Sequence, residues 1–495
     1  MKWQGDEYEA ILLGGGLGGL ITGACLSKEN RRVLLLKENV YHSSSRQKGY
    51  RFVPFSNFSE KRIKVPLLKR ISEELGLPSF AGNGGRTRRD ETRVRKPQET
   101  VDFQVILPKA RIDLFSRRSM LEGELKREFP EEVTEIRGFY GEMDALRPLL
   151  EAEEAKEGSG SLFPVRPRSL VRRWWPFKPL PRGEMSERLI PLSRGFREFI
   201  KLQLVSRGNL FPHRFPLSLG SHLLARDGKE EWNQAVDLDS LKEKILEKFL
   251  QTGGEVEEIG RVEKVERRWR KGITLSLEGN ERVFRSQCLI LNSPLQPLLR
   301  FIDKKGEFLS RWGGGIQPRY ALIPLFLGIS DKVVPVGMRD LLVSLSDLKE
   351  PYEGGNLLFL NLSRREDEAA APEGRRALTV ESLMIPQEWN PDSLIEQQKR
   401  VMQHLGHLFP FLEGHIEFMD WDWLNEHSSC WSYPHFMYET SSDFEWREGV
   451  VPNRITRNVY FVGKENFPYL GMEGEVLGGL MVAKQILERS SKRFH

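Results

Sequence analysis

Between residues 9 and 38 the apolar positions fall into two short runs, separated by a glycine cluster and a helical segment. Ala10-Ile11-Leu12-Leu13 is apolar on both faces, which predicts a short buried strand. Gly14 to Gly19 predicts a turn. Leu20 to Lys28 predicts a helix with the small residues Gly23 and Ala24 on one side. Val33 to Leu36 predicts a second strand, of the kind found in parallel sheets covered on both faces.

Two later stretches carry comparable patterns. From residue 239 to 291, Leu241, Ile245, Phe249 and Leu250 mark one helical face. Ser240 with Glu243 three residues on predicts a capping box at its start, and Gly253-Gly254 predicts its end. Val262 and Val265, then Ile273, Leu275 and Leu277, alternate as strands do, and Cys288 to Leu291 predicts a buried strand stopped by Asn292-Ser293-Pro294. Near the C-terminus, Val459 to Val462 predicts a strand, Gly463 to Gly474 a glycine-bearing turn, and Val476 to Leu487 a closing helix. Residues 82 to 100 and 151 to 183 have no such periodicity and predict irregular segments.

Length changes the picture first: 495 residues exceed one ordinary core, so two domains are expected. The balance of 75 basic against 70 acidic residues gives bulk charge no part in nucleic-acid binding, and none is expected. Cys25, Cys288 and Cys430 are too few and too scattered for a disulfide framework or a zinc site; no metal is expected, and a reducing, cytoplasmic setting is. No apolar run is long enough to span a bilayer.

The motif that carries chemistry is Gly14-Gly15-Gly16-Leu17-Gly18-Gly19, a G-x-G-x-x-G between a strand and a helix. Gly14 permits the tight turn, Gly16 lets backbone approach a pyrophosphate, and Gly19 lets the helix lie close on the sheet. The N-terminus of the helix that follows offers N–H donors to the phosphates. An acid at the end of the second strand, roughly 20 residues on, is expected to hold ribose hydroxyls. Lys37 and Glu38 both stand there; Glu38 is preferred because an ammonium accepts no hydrogen bond.

At these residues the chain resembles FAD-dependent amine oxidases, protoporphyrinogen oxidases and carotenoid desaturases. The segments ILLGGGLGGLITGACLSKENRRVLLLKEN, LQTGGEVEEIGRVEKV and VYFVGKENFPYLGMEGEVLGGLMVAKQIL carry the resemblance, in family order and spacing. The resemblance implies an α/β (α+β overall) architecture. A Rossmann-type FAD domain would come from about residues 1–75, 237–300 and 450–495. A second, sheet-containing substrate domain would come from about residues 76–236 and 301–449. It implies non-covalent FAD, with Gly14, Gly16, Leu17, Gly19, Glu38 and Arg46 along the ADP half and a backbone contact to adenine near Val262. Gly463, Glu465, Gly471 and Gly474 would lie along the ribityl and flavin half. The implied activity is that of an oxidoreductase, desaturase, saturase or amine oxidase, on an apolar, isoprenoid-like substrate. No catalytic side chain is nominated.

The chain departs from the family pattern at four places. Ser44-Ser45-Arg46 stands where Gly-Gly-Arg is usual, and Lys37 and Lys464 stand beside or in place of expected acids. Glu475 replaces a small residue at the start of the last helix. A non-catalytic escort protein on the same fold, as in the Rab escort and GDP-dissociation-inhibitor relatives, is the alternative. Cys430, His427 and His435 are read as loop or pocket-wall residues. The segment from Arg166 to Arg182 mixes Arg168, Arg172, Arg173 and Lys178 with Trp174, Trp175 and Phe177, which suits peripheral contact with anionic lipid.

Overall fold

A computed structural model of the chain describes residues 7–38, 45–52, 62–78, 101–115, 117–156, 183–208, 210, 215–224, 233–235, 238–259, 262–268, 272–292, 316–388, 390–421, 435–440, 451 and 453–491. Arg166 to Arg182, His427, Cys430 and residues 82 to 100 lie outside them, as do the side chains of Glu38 and Arg46.

The first sheet has seven strands among the described residues: β1 (Glu7–Leu13), β2 (Val33–Glu38), β9 (Glu255–Ile259), β10 (Val262–Arg268), β11 (Gly272–Leu277), β12 (Asn280–Leu291) and β19 (Val459–Phe461). Five of them run parallel in the order β9-β2-β1-β12-β19. Their inward residues, such as Ile11, Leu12, Leu34 and Leu289, are buried, because helices cover the sheet. The antiparallel meander β10-β11 is attached through β12. Strand order reverses between β1, which pairs with β2 on one side, and β12 on the other. In open α/β sheets the crevice outside the carboxyl ends of the strands, at such a reversal, is where ligands bind.

Among the described residues the second sheet has eight strands: β6 (Val101–Leu107), β7 (Ala110–Phe115), β13 (Ile316–Ser330), β14 (Leu341–Leu345), β15 (Leu357–Leu362), β16 (Arg375–Met384), β17 (Ile416–Asp420) and β18 (Phe436–Thr440). Among the described residues there are also two small antiparallel pairs: β3 (Ser45–Gln47) with β4 (Tyr50–Phe52), and β5 (Arg62–Lys64) with β8 (Asn233–Ala235).

Helices α1 (Leu17–Lys28), α2 (Val65–Leu75), α8 (Leu238–Gln251) and α10 (Met472–Ser491) serve the first sheet. A group of helices, α3 (Arg118–Glu128), α4 (Val133–Lys156), α5 (Met185–Leu189), α6 (Arg194–Arg207) and α7 (Leu217–Leu224), gathers Phe129, Phe139, Phe196 and Phe199 into an aromatic core. On the second sheet, α9 (Pro391–Leu408) is opened by an Asn390–Ser393 capping box with Pro391 in its first turn. It closes an apolar cluster of Leu325, Leu327, Leu358, Leu360, Val401 and Leu405.

Several boundaries differ from the sequence reading for identifiable reasons. Helix α8 starts at Leu238, so Ser240 lies inside the first turn instead of capping it. Helix α10 begins at Met472, which places Gly474 in its first turn, after two short 3-10 turns at Lys464–Asn466 and Pro468–Leu470. The segment containing Ser45 and Arg46 is a hairpin, turned by Lys48 and Gly49 with φ of 48° and 85°. Two successive positive-φ residues are what a two-residue hairpin turn requires. No helix among the described residues is long and apolar enough to cross a membrane.

Candidate dinucleotide site

The carboxyl ends of the five parallel strands deliver Gly14, Lys37, Ile259, Asn292 and Val462 to one edge of the first sheet. Gly14 leaves β1 with φ of 101°, where an L side chain is strained, and its N–H donates to the Leu36 carbonyl at 3.0 Å. The chain then enters α1 at Leu17, whose side chain is buried in the core. The first-turn N–H groups of α1 have no partner within their own helix and face this edge.

One side chain accepts from those donors, and a second donates to it. The Glu475 Oε1, from the first turns of α10, accepts from the Gly18 N–H at 3.0 Å. The Asn292 Nδ2, just beyond β12, donates to the same Oε1 at 3.2 Å and to the Val462 carbonyl at 2.7 Å. A Cβ on Gly16 would stand 2.6 Å from both the Asn292 Oδ1 and the Glu475 Oε1. A Cβ on Gly19 would stand 2.4 Å from the Asn292 Oδ1. Gly16 and Gly19 are thus small to admit these two side chains against α1. The Asn292 Oδ1 is buried and has no hydrogen-bond partner among the described residues.

Helices α1 and α10 cross with their backbones in contact. A Cβ on Gly479 would lie 2.4 Å from the Gly18 carbonyl oxygen. The Thr22 hydroxyl donates to both Gly18 O at 2.8 Å and Gly479 O at 3.0 Å. Residues from the two ends of the chain are fixed against each other at this crossing.

The remaining sequence-nominated residues stand around it. Glu38 ends β2 opposite Ile259, and Val262 opens β10 directly after β9, buried. Lys37 turns toward the glycines: its Cγ is 3.8 Å from where a Gly15 Cβ would be. Arg46 pairs through backbone with Arg51 in the hairpin. Gly463 donates its N–H to the Asn466 Oδ1 at 2.9 Å, and a Cβ on it would meet the Glu465 Oε2 at 2.7 Å. Glu465 is buried, and its Oε1 accepts from the Tyr438 hydroxyl at 2.5 Å. That burial, with the carboxylate beside it, raises the Tyr438 hydroxyl far above the ordinary tyrosine range. Burial lowers the Lys464 ammonium, while the Glu475 and Glu465 carboxylates near it act in the opposite direction. Gly471 has φ of 54°, and Gly474 lies against the Phe467 carbonyl, 2.6 Å from where its Cβ would be.

Asn292, Asn466 and Tyr438 were not nominated from sequence. Asn292 appeared there only as a strand stop; a polar residue ending a buried strand at the reversal point is the signal that finds it. Of the other candidates, burial pushes the Cys25 thiol up to about 12 and so keeps it protonated and inert. The Cys288 thiol donates to the Glu9 carbonyl at 3.4 Å. Burial holds the His435 imidazole down, at about 3. No group of His, Cys, Asp and Glu among the described residues could hold a metal ion.

The donors fit a dinucleotide diphosphate in kind. A backbone N–H at a helix N-terminus and a side-chain amide N–H converge on one oxygen position, behind a turn kept free of Cβ atoms. In this structure a carboxylate oxygen of the chain itself takes that position.

No protein-family model matches the chain. It is 24% identical over 455 residues to the chloroplastic prolycopene isomerase of Arabidopsis thaliana, covering 85% of this chain and 72% of that protein. In fold it is similar to a wild-type putrescine oxidase bound to putrescine, with a TM-score of 0.59, 14% identity, and 97% and 99% of the two chains covered. A Rab GDI from Plasmodium falciparum is also similar, with a TM-score of 0.52, 12% identity and 98% of each chain covered. In its strand–turn–helix unit and its two-sheet architecture the chain has the fold of these structures, and in sequence it resembles the prolycopene isomerase.

Proposed function

We propose that the chain is an FAD-dependent oxidoreductase or isomerase acting on an apolar, isoprenoid-like substrate. The observation that carries the reading is the glycine turn of Gly14 to Gly19, set at the strand-order reversal with the N-termini of α1 and α10 brought together. The likeness to a prolycopene isomerase over 85% of the chain supports a polyene as substrate class.

In this reading Gly14, Gly16, Leu17 and Gly19 hold the diphosphate, Glu38 and Arg46 flank the ADP half, and Val262 meets adenine. Gly463, Glu465, Gly471 and Gly474 hold the ribityl and flavin half. FAD supplies the reversible two-electron chemistry, and the chain binds, orients and dries the site. Glu465 is positioned by Tyr438, so its carboxylate acts as a fixed acceptor. Tyr50, Phe52, Phe326 and Phe418 pack ring against ring between the hairpin and the second sheet. The Arg166 to Arg182 segment is the proposed contact with the lipid that would deliver such a substrate.

The test is chromatographic. Purified protein with FAD is incubated with prolycopene in lipid vesicles and, separately, with putrescine. The reading expects changed polyene isomers or unsaturation and no amine oxidation. Amine oxidation alone, or neither reaction with flavin bound, would refute the substrate class.

A further inference from the structure

The seat of Glu475 bears on how any dinucleotide enters. Its Oε1 takes two donors at once, the Gly18 N–H at 3.0 Å and the Asn292 Nδ2 at 3.2 Å. These are the donors an anionic phosphate oxygen would use at the N-terminus of α1, a helix of 12 residues. The Asn292 amide has one workable orientation, because Nδ2 must face two acceptors, the Val462 carbonyl and Glu475. That leaves Oδ1, in a residue only 4% exposed, unpartnered and aimed at the glycine turn. A buried acceptor without a donor marks an arrangement that is not closed on itself.

Glu475 is itself buried and lies against the place a Gly16 Cβ would occupy. A carboxylate there satisfies the positive end of α1 without any ligand. It also puts a like charge where a diphosphate would come.

We infer that Glu475 is an internal stand-in for the diphosphate, which an incoming dinucleotide must displace, and that it sets the affinity of the site. This rests on the FAD reading above. When the carboxylate withdraws, the Gly18 N–H and the second hydrogen of Asn292 Nδ2 become available together, while Nδ2 keeps its bond to Val462. Burial lowers the Lys464 ammonium, and the Glu475 and Glu465 carboxylates act in the opposite direction. The consequence is a chain that keeps α1 and α10 joined without cofactor and holds cofactor more weakly than its glycine turn alone would.

The experiment compares wild type, Glu475→Gln and Glu475→Ala. FAD binding is titrated by flavin fluorescence, and thermal unfolding is followed with and without FAD and with inorganic pyrophosphate. The glutamine variant keeps the shape and removes the charge, so it reports even if the alanine variant folds poorly. Both variants are expected to bind FAD about tenfold tighter or more, equivalent to about 1.4 kcal/mol. Without ligand both should melt below wild type, and both should gain more from FAD. Binding equal to wild type, or weaker, would overturn the inference while leaving the FAD reading intact. If none of the three binds FAD, the FAD reading falls. Pyrophosphate then decides the inference: stabilisation of Glu475→Ala beyond wild type supports it, and an equal response overturns it.

Discussion

Two buried polar clusters of this molecule are built on opposite plans. Under α9, the His404 ring bonds the Ser344 hydroxyl through Nε2 at 2.8 Å and the Gly355 carbonyl through Nδ1 at 3.0 Å. Beside it, the Gln397 Nε2 donates to the Ser382 hydroxyl at 2.6 Å. These groups answer one another across the second sheet. At the edge of the first sheet, a carboxylate sits on the backbone N–H of a helix start and an asparagine oxygen is left without a donor. A cluster closed on itself serves folding. The second, whose helix N-terminal donor goes to a side chain, is the one proposed to serve a ligand.

The sharpest break of this contrast is steric. Replacing Gly479 by Leu would drive a Cβ to 2.4 Å from the Gly18 carbonyl, which is backbone and cannot swing aside. The expected loss of stability is about 3 kcal/mol, read as a lower urea midpoint. An unchanged midpoint would mean that α1 and α10 do not cross as described.

Next in size is His404→Ala. It removes a buried ring and two hydrogen bonds, for a cost of about 2 kcal/mol. It should leave FAD affinity unchanged, because its cluster is structural; a variant that loses flavin at full stability would erase the distinction.

The same histidine gives a smaller, pH-dependent effect. Burial holds its ring below the ordinary value of 6.5, against the opposing bond to the Gly355 carbonyl. The unfolded chain therefore takes up this proton first. Stability from the neutral ring is complete above the unfolded value and is lost as pH falls from there toward the folded one. The slope is up to about 1.4 kcal/mol per pH unit for one proton. His404→Gln should flatten the denaturation profile in that window, and an identical slope would rule the ring out as its source.

The smallest effect belongs to exposed pairs such as Arg400 with Glu396, one turn apart on α9. Arg400→Ala should change stability by no more than about 0.5 kcal/mol in urea denaturation. A larger loss would show that the α9 surface contributes to the cluster beneath it.

The glycine turn and its flanking strands were legible in the sequence because they are local: one motif carries its own geometry and its own helix start. The C-terminal strand and helix were legible for the same reason, with α10 starting at Met472 instead of Val476. What could not be read was the meeting of Asn292 with Glu475, which are 183 residues apart and are brought together by the parallel pairing of β12 with β1 and β19 and by the crossing of α1 and α10. The sequence marked Glu475 as a departure at the start of the last helix; its direction, toward α1, needed the helix crossing. The strands from Leu341 to Met384 gave no alternating signal because they are buried almost throughout, on both faces. Lys37 and Glu38 are hard to tell apart by counting for a different reason. A strand alternates its faces at every residue, so a one-residue shift in counting exchanges the two. The geometry turns Lys37 toward the glycines.

The most direct test of the central claim is an equilibrium titration of FAD into wild type and Gly16→Val. The added side chain would fill the space in front of α1, starting from a Cβ only 2.6 Å from Asn292 and Glu475. The account predicts saturable flavin binding by the wild type and none by a Gly16→Val protein that remains folded. Equal flavin binding by both, or a wild type that binds no flavin at all, would contradict it.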